Sequence, residues 1–333
     1  MIHLHANSAY TLLNSTLTIS DLVNINKEMG FKSVCLSDVN VMYGAMEFRK
    51  ACLKADIKPI YGLVCSVMYM QEVVNFELLA KNDNGYKNLM KASTIISANK
   101  YLTIEEFIKL KEDCVLIVFN DEGVLQKALI DEDEAMLNSL LLKLKEDLKE
   151  FYVGLSFNES LFYAQRNSLL KRICNNLKIK TVALNKIYYA KAEDDYCHKV
   201  ICAIKQQKTI NDVSLSLIKS RYIKSEMEMS KIYEMDDLYN TDIIGDMCNV
   251  KMDIKTSLPL YKNNNQVSSF EYLKQLCLFG LNRRLNNKLN DFSSICGVNF
   301  EISKLTLEED ERIISIKDEI NLKRYLINQI KGE

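Results

Sequence analysis

The chain has 333 residues, of which 48% are hydrophobic and 26% charged. This composition is typical of a globular protein with a sizeable core, and it excludes a disordered chain. Lys and Arg number 43 and Asp and Glu 44, so the net charge of −1 excludes a uniformly basic protein that coats DNA. The sequence shows no secretory leader pattern and no apolar run of the roughly 18–20 residues that span a bilayer. We therefore predict a cytoplasmic protein that does not bind membranes.

The first two hundred residues alternate apolar strands with amphipathic helices. We predict strands at 2–5, 33–37, 60–70, 73–80, 114–119, 151–156 and 180–185, and helices at 18–30, 43–55, 85–98, 103–111, 132–149, 160–177 and 194–205. Strands separated by helices of this length indicate a parallel sheet. About seven such units without a glycine-rich dinucleotide loop favour a closed barrel over an open sheet. The predicted fold class is therefore α/β, a distorted (β/α)7-type barrel over residues 1–210.

The alternation stops after residue 208. Residues 225–235, 240–248, 268–287 and 305–331 have helical patterns and are separated by polar loops. We predict a mainly helical extension over residues 211–333. Its last, mixed-charge helix ends abruptly at Glu333, so we expect the extension to lead toward the remainder of a longer protein.

Two of the three histidines in the chain, His3 and His5, occupy alternate positions of the first predicted strand. The period of two in a strand points both side chains to one side, where their imidazoles would be able to share a cation or a phosphate. Taken alone, such a pair more often marks one half-buried face of a strand.

The residues around this pair resemble a known family. The stretch His-Leu-His-Ala-Asn-Ser-Ala-Tyr-Thr-Leu-Leu-Asn-Ser at 3–15 resembles the opening of the polymerase and histidinol phosphatase (PHP) domain. The version it resembles lies at the N-terminus of bacterial DNA polymerase III alpha subunits. The most diagnostic block, Leu-Leu-Ala-Lys-Asn at 78–82 with Gly-Tyr-Lys-Asn-Leu at 85–89, is similar to the polymerase branch. Collinear blocks at 36–45, 48–52, 57–62, 183–185, 203–209 and 271–281 extend the resemblance over at least 2–284.

The resemblance implies metal ions at the rim of the barrel, bound by His, Asp and Glu, that activate water for attack on a phosphoester. His3 and His5 match the first ligand pair, and Asp38 matches a third ligand. The remaining ligand positions carry unsuitable residues, namely Asn14, Val39, Val64, Asn75, Lys186 and Tyr188. An ammonium group beside such a site repels metal. His198 matches a family histidine, but its helical position favours a structural role.

We therefore predict no catalytic residue and no cofactor, or at most one divalent metal ion bound weakly by His3, His5 and Asp38. The resemblance implies the N-terminal PHP region of a DNA-directed DNA polymerase III alpha subunit, acting as a structural and partner-docking domain. The implied partners are the rest of the alpha subunit and a proofreading exonuclease or another replisome protein, with DNA bound only weakly.

Two alternatives remain open. The first is a metal-dependent phosphoesterase or 3′–5′ exonuclease with a reduced ligand set, in which Asp38, Asp194 and Asp195 substitute for the missing ligands. The second is a freestanding binding protein derived from the polymerase.

Overall fold

Strands and helices alternate in a computed structural model of the chain, which describes residues 1–157, 161–212, 220–252 and 268–284. The strands are β1 His5–Ala6, β2 Ser33–Val39, β3 Lys58–Tyr69, β4 Glu72–Ala80, β5 Cys114–Phe119, β6 Tyr152–Ser156, β7 Lys180–Leu184 and β8 Lys186–Ile187. The α-helices of the first half are α1 Ile19–Glu28, α2 Ala45–Ala55, α3 Asp83–Asn99, α4 Ile104–Leu110, α5 Gln126–Ile130 and α6 Glu134–Leu148. Those of the second half are α7 Leu161–Asn176, α8 Asp195–Gln206, α9 Glu226–Ile232, α10 Met235–Met247 and α11 Ser269–Arg284.

The described strands form two sheets. One has six strands in the order β2-β3-β4-β5-β6-β7, and the other pairs β1 with β8. Pairing is parallel except at β4, which runs antiparallel to both β3 and β5. The expectation of a wholly parallel sheet is therefore wrong at β4. The reason is a tight connection, since Met70 and Gln71 both have left-handed φ values of 50° and 68° and turn the chain back without a crossover helix.

The six-stranded sheet and the N-terminal segment enclose one apolar interior. A single buried apolar cluster takes side chains from the N-terminal segment and from five strands, and its members include Ile2, Leu4, Cys35, Ile60, Val64, Leu79, Ile117, Phe119, Val182 and Leu184. A second cluster lies between the sheet and the helices that cover it, with Leu89, Phe107, Leu141 and Leu170 among its members. The curled sheet with helices outside confirms the predicted α/β barrel-type fold.

Side chains cap the first turns of two helices, α3 and α4. Thr103 and Glu106 form a capping box at the start of α4, with both reciprocal hydrogen bonds present, which satisfies two otherwise unpaired backbone donors. The Asn82 side chain caps α3 by accepting hydrogen bonds from the amides of Asn84 and Gly85. At Gly85 an added Cβ would lie 2.2 Å from the carbonyl oxygen of Asp113, so only glycine fits there.

The chain divides into two compact units, Met1–Asp253 and Ile254–Glu333. Helices α9 and α10 belong to the first unit, and the predicted boundary near residue 210 lies inside that unit. The Thr241 hydroxyl accepts a hydrogen bond from the Ile2 amide at 2.9 Å, and Thr181 on β7 donates to Asp237 on α10. The structure describes α11 in the second unit, and the helix predicted at 305–331 lies outside the described residues.

Within the described ranges no helix is both long enough and apolar enough to cross a bilayer. The cysteines described there are free thiols, and most are buried. Burial raises the pKa of Cys114 to about 12, so that thiol is protonated at neutral pH and behaves as a small apolar side chain.

Candidate functional site at the barrel mouth

Polar side chains gather at one edge of the barrel. Asp38 lies near the end of β2, Asp121 and Glu122 follow β5, Ser156 ends β6 and Lys186 begins β8. The carboxyl ends of parallel strands meet at the same edge. At this edge Lys186 contacts Asp121 and Glu122, and Ser156 contacts Asp121. We call this edge the barrel mouth.

Lys186 is the central cation of the barrel mouth. Its Nζ lies 2.7 Å from Asp121 Oδ1 and forms a second ion pair with Glu122. The ammonium also lies 4.2 Å from the centre of the Phe119 ring, a cation–π contact. Burial lowers the pKa of Lys186, but the two carboxylates outweigh it and hold the pKa above its usual value. The side chain is 2% exposed and carries its charge inside the protein.

The two carboxylates beside Lys186 have further partners. Asp121 accepts a hydrogen bond from Ser156 Oγ at 3.0 Å and lies 3.6 Å from an Arg221 nitrogen. Burial raises the pKa of Asp121, but Lys186 and Arg221 together hold it well below its usual range. Burial also raises the pKa of Glu122, but Lys186 outweighs this effect and lowers the pKa overall. Both carboxylates are therefore ionised and are neutralised by cations of the chain itself.

His5 and Glu77 form a second buried pair. His5 lies directly opposite Lys186 in the β1–β8 ladder, and its ring meets Phe119 edge-on at 5.5 Å. His5 Nδ1 is 3.2 Å from Glu77 Oε1, with the two side chains 2% and 0% exposed. Within the described residues, neither nitrogen of His5 and neither carboxylate oxygen of Glu77 has a partner in hydrogen-bond geometry. Four buried polar atoms without hydrogen bonds are unusual and call for an explanation.

Glu77 lies beside one of the altered ligand positions, on the neighbouring strand. The resemblance places a glutamate at position 64, where this chain has Val64. Glu77 lies directly opposite Val64 in the antiparallel ladder of β3 and β4. A carboxylate therefore enters the barrel from the neighbouring strand.

His3 lies in a different environment from His5. Its Nε2 is 2.8 Å from the carbonyl oxygen of Lys224, and its ring meets Phe31 edge-on at 5.2 Å. Burial lowers the pKa of His3 to about 4, so the imidazole is neutral at neutral pH. The structure thus ties His3 to the backbone near α9 and places His5 beside Glu77 in the interior.

Asp38 is engaged by the loop that follows β1. Its two oxygens accept hydrogen bonds from the Ser8 amide at 2.7 Å, the Ser8 hydroxyl at 2.8 Å and the Thr11 hydroxyl at 2.7 Å. Burial raises the pKa of Asp38 to about 6, against the opposing effect of these hydrogen bonds. Three donors converge on this carboxylate, so Asp38 stabilises the conformation of the loop after β1.

The other altered positions have structural contacts. The carbonyl oxygen of Asn14 is 3.0 Å from His198 Nε2 on α8, and Asn75 accepts from Ser66 and donates to Glu122, both at 3.1 Å. The Tyr188 ring stacks on His198 at 5.5 Å with 7° between the planes. Val39 and Val64 pack in the interior cluster. These contacts fit the structural role predicted for His198.

The carboxylates named in the phosphoesterase alternative have other partners. Asp194 accepts a hydrogen bond from the Lys191 amide at 2.9 Å, and Asp195 accepts one from the Tyr189 hydroxyl at 3.3 Å. Both lie at the beginning of α8, where carboxylates stabilise exposed backbone amides.

The residues present at the barrel mouth do not fit a hydrolytic metal cluster. In the part of the chain that the structure describes, no group of three or more His, Cys, Asp or Glu side chains is arranged to hold a metal ion. A hydrolytic site needs about three protein ligands and an open position. Here the carboxylates of Asp121 and Glu122 are bound to an internal ammonium group instead.

Sequence reasoning missed Glu77, Asp121, Glu122 and Arg221. Two signals were available in the sequence. Asp121 and Glu122 directly follow a buried strand, and Glu77 is the single charged residue within the apolar run from 73 to 80. Arg221 gave no signal, because only the tertiary structure brings it beside Asp121.

Comparison with known proteins gives consistent matches. The PHP domain family matches residues 3–160. The DNA polymerase III subunit alpha of Halalkalibacterium halodurans is 30% identical over 293 residues, and that of Bacillus subtilis is 27% identical over 295 residues. Each match covers 85% of this chain and 26% of the relative, so the chain spans about a quarter of the length of the curated relatives it matches.

Similar solved structures are more distant. An amidohydrolase from Chromobacterium violaceum has 10% identity and a TM-score of 0.44, covering 56% of this chain and 87% of that one. A two-domain protein from Bacteroides vulgatus with a predicted PHP-like metal-dependent phosphoesterase has 11% identity and a TM-score of 0.33, covering 71% of this chain and 62% of that one.

Residues 3–160 of the chain belong to the PHP domain family. Beyond that domain, the chain is homologous to the alpha subunits of bacterial DNA polymerase III over most of its length.

Proposed function

We propose that this chain is the N-terminal PHP region of a cytoplasmic DNA polymerase III alpha subunit, and that the region is a structural domain without hydrolytic activity. The observation that carries the proposal is Lys186, whose buried ammonium pairs with Asp121 and Glu122. Those carboxylates would otherwise be the strongest metal donors at the barrel mouth. The conserved fold supports a role in bracing the rest of the polymerase and in docking a proofreading exonuclease or another replisome protein.

Hydrolysis assays test the absence of activity directly. The purified chain is incubated with Mn²⁺ and either 5′-labelled single-stranded DNA or bis(p-nitrophenyl) phosphate, and bound metal is measured by elemental analysis. We expect rates equal to those of the His5→Ala variant and less than one metal ion per chain. Stoichiometric metal together with turnover that disappears in His5→Ala overturns the proposal.

One observation favours an active phosphoesterase as a second candidate. Buried His5 and Glu77 lie together with polar atoms that lack hydrogen bonds, and such atoms are often found at sites that bind a ligand. Under this candidate, the Glu77→Gln variant loses Mn²⁺-dependent turnover while its fold is retained. Under our proposal, wild type and Glu77→Gln are equally inactive.

Partner docking is tested with defined proteins. Calorimetric titration of the chain with the proofreading exonuclease of the same organism measures the affinity, and an isolated downstream polymerase fragment serves as the second ligand. Saturable binding of at least one of them supports the docking role. Absence of binding to both contradicts it.

A further inference from the structure

We propose that the groove between α3 and α4 binds an acidic amphipathic helix of a partner protein. None of the residues that line this groove belongs to the barrel mouth. The inference rests on the docking role in the proposed function, and it adds the surface that docks and the chemistry of the segment that is bound.

The groove runs between two neighbouring helices that both contact β3. Its volume is about 540 Å³. On α3 the lining side chains of Lys87, Lys91 and Ile95 are spaced four residues apart, so they share one face of the helix. On α4, Glu106 and Leu110 have the same spacing. Two such helix faces side by side form the kind of channel that accepts a further helix.

The floor of the groove is apolar. Helix α3 already packs on the core through another face, which includes the buried Leu89 and Ile96. The groove is lined instead by Met90, Ile95 and Leu110, and the Met90 side chain is 42% exposed. An apolar stripe on a bound helix would remove this floor from water, which favours association.

The rim of the groove is basic. The exposed side chains of Lys87, Lys91 and Lys109 line it, and in the described part of the chain no ion pair or hydrogen bond engages their ammonium groups. Glu106 also lines the groove, but its carboxylate accepts a hydrogen bond from the Thr103 amide at 2.9 Å and serves as part of the α4 cap. The free positive charge around an apolar floor is complementary to a helix with Asp or Glu beside its apolar stripe.

The lining argues against other occupants. Single-stranded nucleic acid binds by stacking its bases on aromatic side chains, and none of the residues that line the groove is aromatic. Small-molecule sites hold their ligands with a few convergent polar groups, whereas here the ammonium groups stand at the rim of an apolar floor. An extended peptide adds to the edge of a sheet, and this groove offers two helix faces.

The test uses a fluorescein-labelled synthetic peptide and the whole chain. The peptide has about 15 residues, with leucines on one helical face and glutamates on both sides of it. A second peptide has the same leucines and lysines in place of the glutamates. Fluorescence anisotropy should show saturable binding of the acidic peptide, with an affinity at least tenfold higher than that of the basic peptide. Added salt should weaken the binding of the acidic peptide, because the rim charges are exposed to solvent.

Two substitutions in the groove have matched controls on α2. Met90→Glu places a charge on the floor and should lower the affinity for the acidic peptide at least tenfold. Its control is Met46→Glu, since Met46 is 43% exposed and also lies on a helix. Lys91→Glu should lower the affinity about fivefold and should raise the affinity for the basic peptide, whereas the control Lys50→Glu should change neither. All four side chains are exposed, so the circular dichroism spectrum should stay that of wild type.

Three results overturn the inference. They are the absence of saturable binding, equal affinities for the two peptides, and an affinity that Met90→Glu leaves unchanged. A single-stranded oligonucleotide that displaces the acidic peptide at a lower concentration than unlabelled peptide also overturns it, because the groove is then a nucleic-acid site.

Failure of the inference and failure of the proposed function give different results. If the exonuclease or the polymerase fragment binds the chain and the acidic peptide does not, the inference fails and the docking role stands. If the acidic peptide binds in the groove and the wild-type chain hydrolyses a phosphodiester, the proposed function fails and the groove stands.

Discussion

Asp38 offers a sharp test of whether a carboxylate at the barrel mouth is a structural group or a metal ligand. The substitution Asp38→Asn removes its charge and keeps its size. In the structure, three donors from Ser8 and Thr11 reach the carboxylate, and the residue is 2% exposed. Burial raises its pKa to about 6 from an ordinary value of 3.8.

The sign of the pH effect follows from that shift. Folding raises the pKa, so the folded state binds the proton more tightly than the unfolded chain does. Ionised Asp38 therefore destabilises the fold above pH 6, and this penalty is relieved as the pH falls through 6 toward 3.8. Between pH 7.5 and pH 5, the relief stabilises wild type by about 1.4 kcal/mol relative to Asp38→Asn.

Thermal melts of wild type and Asp38→Asn at the two pH values measure the difference. All other titrating groups are common to both proteins and cancel. The quantity of interest is the melting temperature of wild type minus that of the variant. We expect this difference to be about 3–6 °C larger at pH 5 than at pH 7.5. A difference that stays constant refutes the raised pKa, and a difference of opposite sign indicates a carboxylate stabilised in its charged form, as a metal ligand would be.

Three further predictions concern other parts of the chain. Burial lowers the pKa of His3 to about 4, so the contribution of His3 to the free energy of unfolding falls as the pH drops below 6.5. Between pH 7.5 and pH 5, denaturant unfolding should show that wild type loses about 2 kcal/mol of stability relative to His3→Gln. Gly85→Ala should destabilise the first unit by about 1–3 kcal/mol, because the new Cβ meets a backbone carbonyl at 2.2 Å. The net charge of −1 predicts weak binding to duplex DNA in fluorescence anisotropy, without the steep salt dependence of a basic protein.

Each of these has its own control. A pH-independent difference between wild type and His3→Gln would show that His3 titrates normally. For Gly85, the control is Gly280→Ala on α11, where an added Cβ has nothing within 4 Å, and a melting temperature unchanged by Gly85→Ala contradicts the predicted clash. Tight DNA binding that weakens sharply with salt would contradict the charge argument.

Much of the fold was predictable because its signals are local. The helix expected at 103–111 forms and is capped by Thr103 and Glu106, and strands of apolar residues such as β5 lie where the pattern placed them. The direction of β4 was not predictable from the same pattern, because strand periodicity carries no information about pairing. Met70 and Gln71 make the hairpin without the glycine or asparagine that usually marks one.

The candidate site was likewise predictable only in part. The order of residues determined which chemical groups are available: few histidines, altered ligand positions and a lysine at 186. Only the tertiary structure decided which of them meet. Neighbours in sequence such as His3 and His5 have different partners, and residues far apart in sequence, Glu77 with His5 and Lys186 with Asp121, come into contact. Charge balance in a buried site depends on distance in space, and the closing of the barrel sets that distance.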